Sequence, residues 1–497
     1  CSNVKITGLT FDCASLTFTQ GTVRDIGENC ASYDVAMDRG YERNVSKFMK
    51  EAGDNFLRPV SFFEPGKPEW KLGILEPKIG NIEQRFKNLW RLNIAPGSHG
   101  EIPVAIGDKA MISYRGSCAI TCRKCEKMTF EDVTVHNAGS VAFHEVMGLG
   151  GSVFRRCRVI PRPGSESLIS TVGGAFIHRN LRKGPLIEDC FTDRMHDDAV
   201  NIHGYFDRVF KVISGTELRI ITQYAFLSEA GDRVEFTSRK TGESLGTYTV
   251  VSNELLVRAF PVLIKEFHCH AGYVHHIKLD RPAPVEEMDG VISRDWLGNG
   301  YIVRNCEFGP NRYRGVLAKA EDGLIEGNNI HGSGHHAISL TTEIMRESGY
   351  TRNVVVRNNK LKDIGRLGWE GFGTGILVSL EDLPNHLDEL SPQPVNENIL
   401  IENNEIDDML GNGIAIEHSK NVIIRDNTIR NIGRRGNSYR FKFKYKRKPI
   451  RVENSLDVLS ENNDISQAVN YFSEVGRQSC VSSHSSRRLS GCSAIQA

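Results

Sequence analysis

One phrase is written three times in the C-terminal half of this chain, as Asn353-Val-Val-Val-Arg-Asn-Asn-Lys-Leu361, Asn398-Ile-Leu-Ile-Glu-Asn-Asn-Glu-Ile406 and Asn421-Val-Ile-Ile-Arg-Asp-Asn-Thr-Ile429. Leu456 to Ile465 is a looser fourth copy. The step from Asn404 to Asn427 is 23 residues and that from Asn329 to Asn359 is 30, the extra residues falling in Gly-rich connections. Alternating β-branched residues at such a period describe a unit that cannot bury its apolar face alone, so units must stack as a solenoid of strands. Asn at a fixed place suits a stacked turn, because its amide can bond neighbouring coils and its backbone tolerates the left-handed region. The expected fold is all-β, a right-handed parallel β-helix.

The same grammar runs upstream at Asn3 to Phe11, Met128 to Val135, Val153 to Ile160 and Leu186 to Phe191. Two longer stretches break it, with antiparallel-looking runs such as Arg233-Val-Glu-Phe-Thr237 and Gly246 to Val251. The expected organisation is therefore β-helix over 1–23, 111–205 and 293–470, with β-barrel-like insertions over 24–110 and 206–292. Residues 471–497 read as a loose Ser-rich tail. The 497 residues exceed what one compact core sustains, which elongation resolves. The chain opens at Cys1 already in a strand-like phrase, so the N-terminus reads as processed or truncated.

Lys plus Arg number 62 against 61 for Asp plus Glu, a net charge of +1 that argues against a protein built to grip nucleic acid. No stretch approaches the roughly 20 apolar residues of a membrane span. Arg440 to Lys448 alternates aromatic and basic residues and reads as an edge strand blunted by Lys, with anionic-polymer binding as the alternative. Cys157, Cys190 and Cys306 occupy similar places in similar phrases and are expected as inward-facing thiols stacked along the repeat. Cys118, Cys122 and Cys125 have zinc-like spacing, but a fourth ligand is not evident nearby, and no metal is assigned.

Chemistry is concentrated in Met195-His-Asp-Asp-Ala-Val-Asn-Ile-His-Gly204. Two adjacent carboxylates in a shielded groove cannot easily both ionise, so their pKa values separate and acid and base roles become available. A calcium site or a solvated turn is the bland alternative. Successive strand residues point to opposite faces, so Asp197 and Asp198 share a groove only at a bend. Asn201 and His203 alternate with Val200 and Ile202, which puts the polar pair on the groove face. Further along, Arg314 and Glu343 each stand at a strand end where the stacked coils would line the same groove. Asp197 and Asp198 are the candidate catalytic residues; Asn201, His203, Arg314 and Glu343 are the candidate substrate-binding residues. A neutral glycan is the expected partner, and no cofactor is called for.

Several phrases together resemble glycoside hydrolase family 110, exo-acting α-1,3-galactosidases of the blood-group-B type. They are Phe18-Thr-Gln-Gly-Thr-Val23, Val159-Ile-Pro-Arg-Pro-Gly164 leading into Leu168-Ile-Ser-Thr171, His196 to Gly204, Arg312-Tyr-Arg-Gly315 and Glu347-Ser-Gly-Tyr-Thr-Arg-Asn353. The resemblance implies a metal-independent, inverting hydrolase of terminal α-1,3-linked galactose, periplasmic or secreted, with Asp197 and Asp198 matching the family's acidic pair. One coil upstream the chain departs from the family: Ser170-Thr-Val-Gly-Gly-Ala-Phe176 carries Gly174 where the family has an acid. Asp193 or His178 is a candidate replacement. The other readings are a non-catalytic glycan-binding β-helix descended from such an enzyme, and a polysaccharide lyase-like β-helix in which the acidic pair holds calcium.

Overall fold

The computed structural model describes residues 1–14, 16–42, 45, 59–74, 76–97, 104–260, 272–343, 347–368, 372–381, 393–433 and 447–465. The Ser-rich tail and most of the Arg440 to Lys448 run lie outside them. The chain is an all-β protein organised on a parallel β-helix. Among the described residues, one parallel sheet holds ten strands from Lys5–Thr7 to Leu456–Glu461, and a second holds nine from Thr10–Asp12 to Thr428–Ile432. A third runs from Ile120–Arg123 through Phe143–Val146, Phe176–Arg179, the start of Val200–Val212, Val316–Ala318, Ile338–Glu343, Ile376–Glu381 and Ile414–Glu417 to Ile450–Glu453. Each repeat phrase supplies one strand to each of the first two sheets, in register, so that Val355, Leu400 and Ile423 stack.

The paired Asn of the phrase is explained by the turn between those two sheets. Its first residue takes the left-handed backbone, at Asn358 (φ 56), Asn403 (φ 54), Asp426 (φ 56) and Asn462 (φ 53). Its second points inward and bonds the same residue of the next coil: Asn328 to Asn359 at 3.0 Å, Asn359 to Asn404 at 3.0 Å, Asn404 to Asn427 at 2.9 Å and Asn427 to Asn463 at 2.9 Å. The ladder takes Asn328 rather than Asn329; Gly327 fills the left-handed position there, and Asn329 already pairs with Lys360 as strand. Cys157, Cys190 and Cys306 occupy the same inward slot in earlier coils, buried, each following a left-handed residue. Their Sγ atoms point at main-chain carbonyls of Phe130, Phe154 and Ile187. Aromatic stacks fill the interior beside them, Phe130 on Phe154 and Phe143 on Phe176, each with centroids 5.1 Å apart.

Two antiparallel units interrupt the coils. In the first, the strands Ser61–Phe63, Lys109–Ser113, Phe18–Ile26, Ser32–Met37, Leu89–Ile94 and Ile79–Gln84 pair in that order, and a bridge between Pro59 and Lys78 brings the ends together. It packs on the β-helix through a cluster of Phe18, Phe63, Trp70, Met111, Ile169, Val172 and Leu367. In the second, the strand Val200–Val212 leaves the third sheet and pairs with both Glu217–Thr222 and Gly290–Ser293, which closes a six-stranded ring around Val209, Ile220, Phe236 and Ile277.

Candidate active site

The third sheet carries the acidic pair at its entrance. Val200 and Ile202 are fully buried in the core, which turns Asn201 and His203 to the opposite face. Asp197 and Asp198 precede that strand in a bend, so the alternation of a strand does not separate their side chains. Main-chain bonds between coils align Gly174, Asp198, Arg314 and His336 in one column. A small residue follows each of them (Ala175, Ala199, Gly315, Ala337), which lets the backbone turn tightly into the core. Asn311, fully buried, fastens the bend by donating to the carbonyls of Asp197 at 2.9 Å and Arg314 at 2.7 Å.

The two carboxyls have different surroundings. Asp197 is part-exposed and accepts from the guanidinium of Arg115 and from the Asp198 main-chain N–H. Asp198 is 3% exposed, and it accepts from the Arg314 main-chain N–H at 2.9 Å and from the Asn201 amide at 3.3 Å. Burial pushes the Asp198 carboxyl up to about 7; the Arg314 charge opposes that rise, and Asp197 reinforces it. Asp198 therefore takes up and gives up its proton around neutral pH, beside the carboxylate paired with Arg115.

Asn201, His203, Arg314 and Glu343 are brought together with the pair. Arg314 reaches Asp198 at 3.7 Å with one arm and Glu343 at 3.6 Å with the other. His203 Nδ1 lies 2.7 Å from Asn201 Oδ1, and since the Asn201 amide donates to Asp198 and Glu347, that oxygen accepts the imidazole proton. Burial lowers His203 to about 4, so it is a neutral ring at pH 7.

Several groups beside the pair were not singled out in the sequence. Lys319 is fully buried and donates to Glu343 at 3.0 Å and Glu347 at 3.2 Å. Burial disfavours its charge, but Glu343 and Glu347 more than offset this and hold it protonated. Its signal was present, because Leu317 and Lys319 continue the outward register of Asn201 and His203. Glu347 stood inside a quoted phrase without being singled out. The contribution of the first antiparallel unit had no such signal. His196, buried beside the pair, has its Nε2 3.0 Å from Ser61 Oγ and its Nδ1 3.1 Å from Ser113 Oγ, with Trp70 stacked on its ring. Ser61 also donates to Glu76, and Arg312 donates to Glu76 at 2.6 Å.

Neither expected replacement for an acid at Gly174 reaches this cleft. His178 points into the interior, bonded to the buried Glu145 at 3.1 Å and set edge-on to Phe154. Asp193 follows a strand of the second sheet and is bonded to Arg194. At Gly174 itself an added Cβ would lie 2.6 Å from the Asp198 carbonyl oxygen and 2.6 Å from Ile177 Cδ1, so any side chain there forces the coil to shift. Among the described residues, no group of three or more His, Cys, Asp or Glu side chains is arranged to hold a metal ion, and no helix is long and apolar enough to cross a membrane.

No protein-family model matches the chain. It is 23% identical over 329 residues to alpha-1,3-galactosidase B of Bacteroides thetaiotaomicron, covering 63% of this chain and 48% of that protein. It is 24% identical over 284 residues to alpha-1,3-galactosidase A of Bacteroides fragilis, covering 55% and 44%. With alpha-1,3-galactosidase B of Akkermansia muciniphila it shares 27% over 300 residues, covering 56% and 34%. The chain thus spans about half or less of the length of these curated relatives. Among solved structures, the A-module of a mannuronan C-5 epimerase of Azotobacter vinelandii superposes with a TM-score of 0.30 at 10% identity, covering 71% of this chain and 65% of that one, a likeness that adds nothing to the topology above.

Proposed function

We propose that this chain is a glycoside hydrolase that removes terminal α-1,3-linked galactose from glycans by an inverting, carboxylate-based mechanism. The observation that carries the reading is the buried Asp198, its carboxyl pushed up to about 7 by that burial, next to an Arg-paired Asp197. In this reading Asp198 delivers its proton to the departing glycosidic oxygen while Asp197 takes a proton from the water that attacks the anomeric carbon from the other side. Arg115 keeps Asp197 in place. Asn201, neutral His203, Arg314 and Glu343 bind the hydroxyls of the galactose, and Lys319 and Glu347 hold that wall rigid. The names of the three relatives and the earlier family resemblance support the choice of galactose and of the linkage, and an extracytoplasmic location goes with that resemblance. The reaction needs no cofactor.

A coupled assay for free galactose tests this, with Galα1,3Gal as substrate. The expected outcome is release by the wild-type chain and a drop of about 10²–10⁴-fold in Asp197→Asn and Asp198→Asn, with the fold retained by circular dichroism. Gly174, which leaves the coil above the pair without an acid, favours the second reading, a glycan binder without turnover. Sugar binding with no galactose released would select it.

A further inference from the structure

Buried and half-buried guanidinium groups of this chain are neutralised by carboxylates, Arg115 by Asp197 and Arg312 by Glu76 beside the acidic pair, and Arg182 by Asp232, Arg294 by Glu321 and Arg352 by Glu235 at the second antiparallel unit and the coils next to it. Arg179 breaks this pattern. It is the register partner of His203, one coil above on the groove face, about 4.8 Å away along the stack. Among the described residues no carboxylate lies within ion-pair reach of it. Among the described residues its one hydrogen bond is a long one, Nη1 to the Tyr205 hydroxyl at 3.4 Å, and its buried Nε meets no acceptor. Two rings hold it instead, with Cζ 5.4 Å from the Tyr205 centroid and 4.4 Å from that of Tyr224; the rings meet edge to face 4.9 Å apart. The nearby Glu347 does not serve as its counter-ion, since Lys319 and the Asn201 amide already engage that carboxylate.

A guanidinium fixed between two aromatic faces has lost little further freedom when it meets a ligand, and its charge, half-withdrawn from water, lacks compensation. The planar fork matches a carboxylate or sulfate, and the rings offer apolar surface to a sugar face. The geometry points to a subsite in which Arg179, with Tyr205 and Tyr224, receives an anionic substituent on the sugar next to the galactose that is removed. Acidic galactosides are then the preferred substrates. This rests on the hydrolase reading above.

The test compares kcat/KM of the full chain on three disaccharides: Galα1,3Gal, the same compound sulfated at O6 of the reducing galactose, and the same compound with that residue oxidised to the uronate. The wild type is expected to favour one of the charged compounds by about tenfold or more, which also tells sulfate from carboxylate. In Arg179→Met the ratio of charged to neutral should fall to about one, and Arg179→Lys should keep part of it. A wild-type ratio near one, or a ratio unchanged in Arg179→Met, overturns the subsite. If no galactose is released from any of them, the hydrolase reading fails, and NMR titration with the two charged compounds decides the subsite on its own. Binding weakened about tenfold in Arg179→Met would support the subsite, and equal binding would overturn it.

Discussion

Asp198 concentrates the physics of the site in one residue. Its carboxyl is enclosed by Arg314, Asn201 and Asp197, and burial raises it to about 7. An acid with that value works only while protonated, so the rate of galactose release should fall as pH rises through about 7, and this limb of the profile should vanish in the residual activity of Asp198→Asn. Stability carries the matching sign. A carboxyl raised in the folded state from about 3.9 in the unfolded chain contributes stability that is present below about pH 4 and lost as pH rises through about 7. Asp198→Asn should therefore melt above the wild type at pH 8, with the difference narrowing toward pH 4; a variant melting lower at pH 8 would contradict the buried-acid description. The sequence made this residue conspicuous because two adjacent acids stand immediately before a strand in which Asn201 and His203 alternate with apolar residues. It could not say which of the two is the buried one. That depends on Arg314, 116 positions away, and on the single-residue difference between the column holding Asp198 and the neighbouring position of Asp197.

Among the elements, the paired-Asn turn determines the geometry of the coil stack. Asn404 is buried, receives a bond from Asn359, donates to Asn427 and to the Val356 carbonyl, and its carbonyl oxygen also accepts from the Asn359 main-chain N–H. Removing the amide in Asn404→Ala leaves both neighbours short of a partner inside the stack, at about 1–3 kcal/mol. The thermal midpoint should drop by a few degrees while galactose release by the folded protein is unchanged, since Asn404 lies at a different corner and four coils along the stack from the acidic pair. The period, the strands and this turn were legible because each coil repeats the same local problem and the sequence repeats the same answer. The thiols of Cys157, Cys190 and Cys306 were legible as a stack, but not as the upstream continuation of the Asn ladder, because the slot accepts either a small apolar group or an amide. The one-residue slip between Asn328 and Asn329 arose because both are Asn and only the left-handed Gly327 fixes which one turns inward.

For the whole molecule, the cleft is built jointly by two units that fold on different parts of the chain. His196 is gripped through both ring nitrogens by Ser61 and Ser113, and Asp197 is gripped by Arg115, all supplied by the first antiparallel unit or its exit. Replacing His196 with Ala should lower kcat by about 10–100-fold with a smaller change in KM, and His196→Gln, which can still bond a serine, should recover part of the loss; equal effects on kcat and KM would mark the contact as structural only. None of this was legible from the chain, since contacts spanning 135 and 236 positions leave no periodic trace. The β-helix, by contrast, was visible from its repeats, and so was the acidic pair at which the proposed chemistry is centred. The most direct measurement of the central claim is a proton NMR time course of the full chain with Galα1,3Gal, following the anomeric signal of the first galactose released. An inverting reaction at Asp197 and Asp198 gives β-galactose ahead of mutarotation, and no release in Asp198→Asn over the same interval. Release of α-galactose first, or equal release by the variant, would contradict the assignment of these two carboxyls as an inverting acid and base.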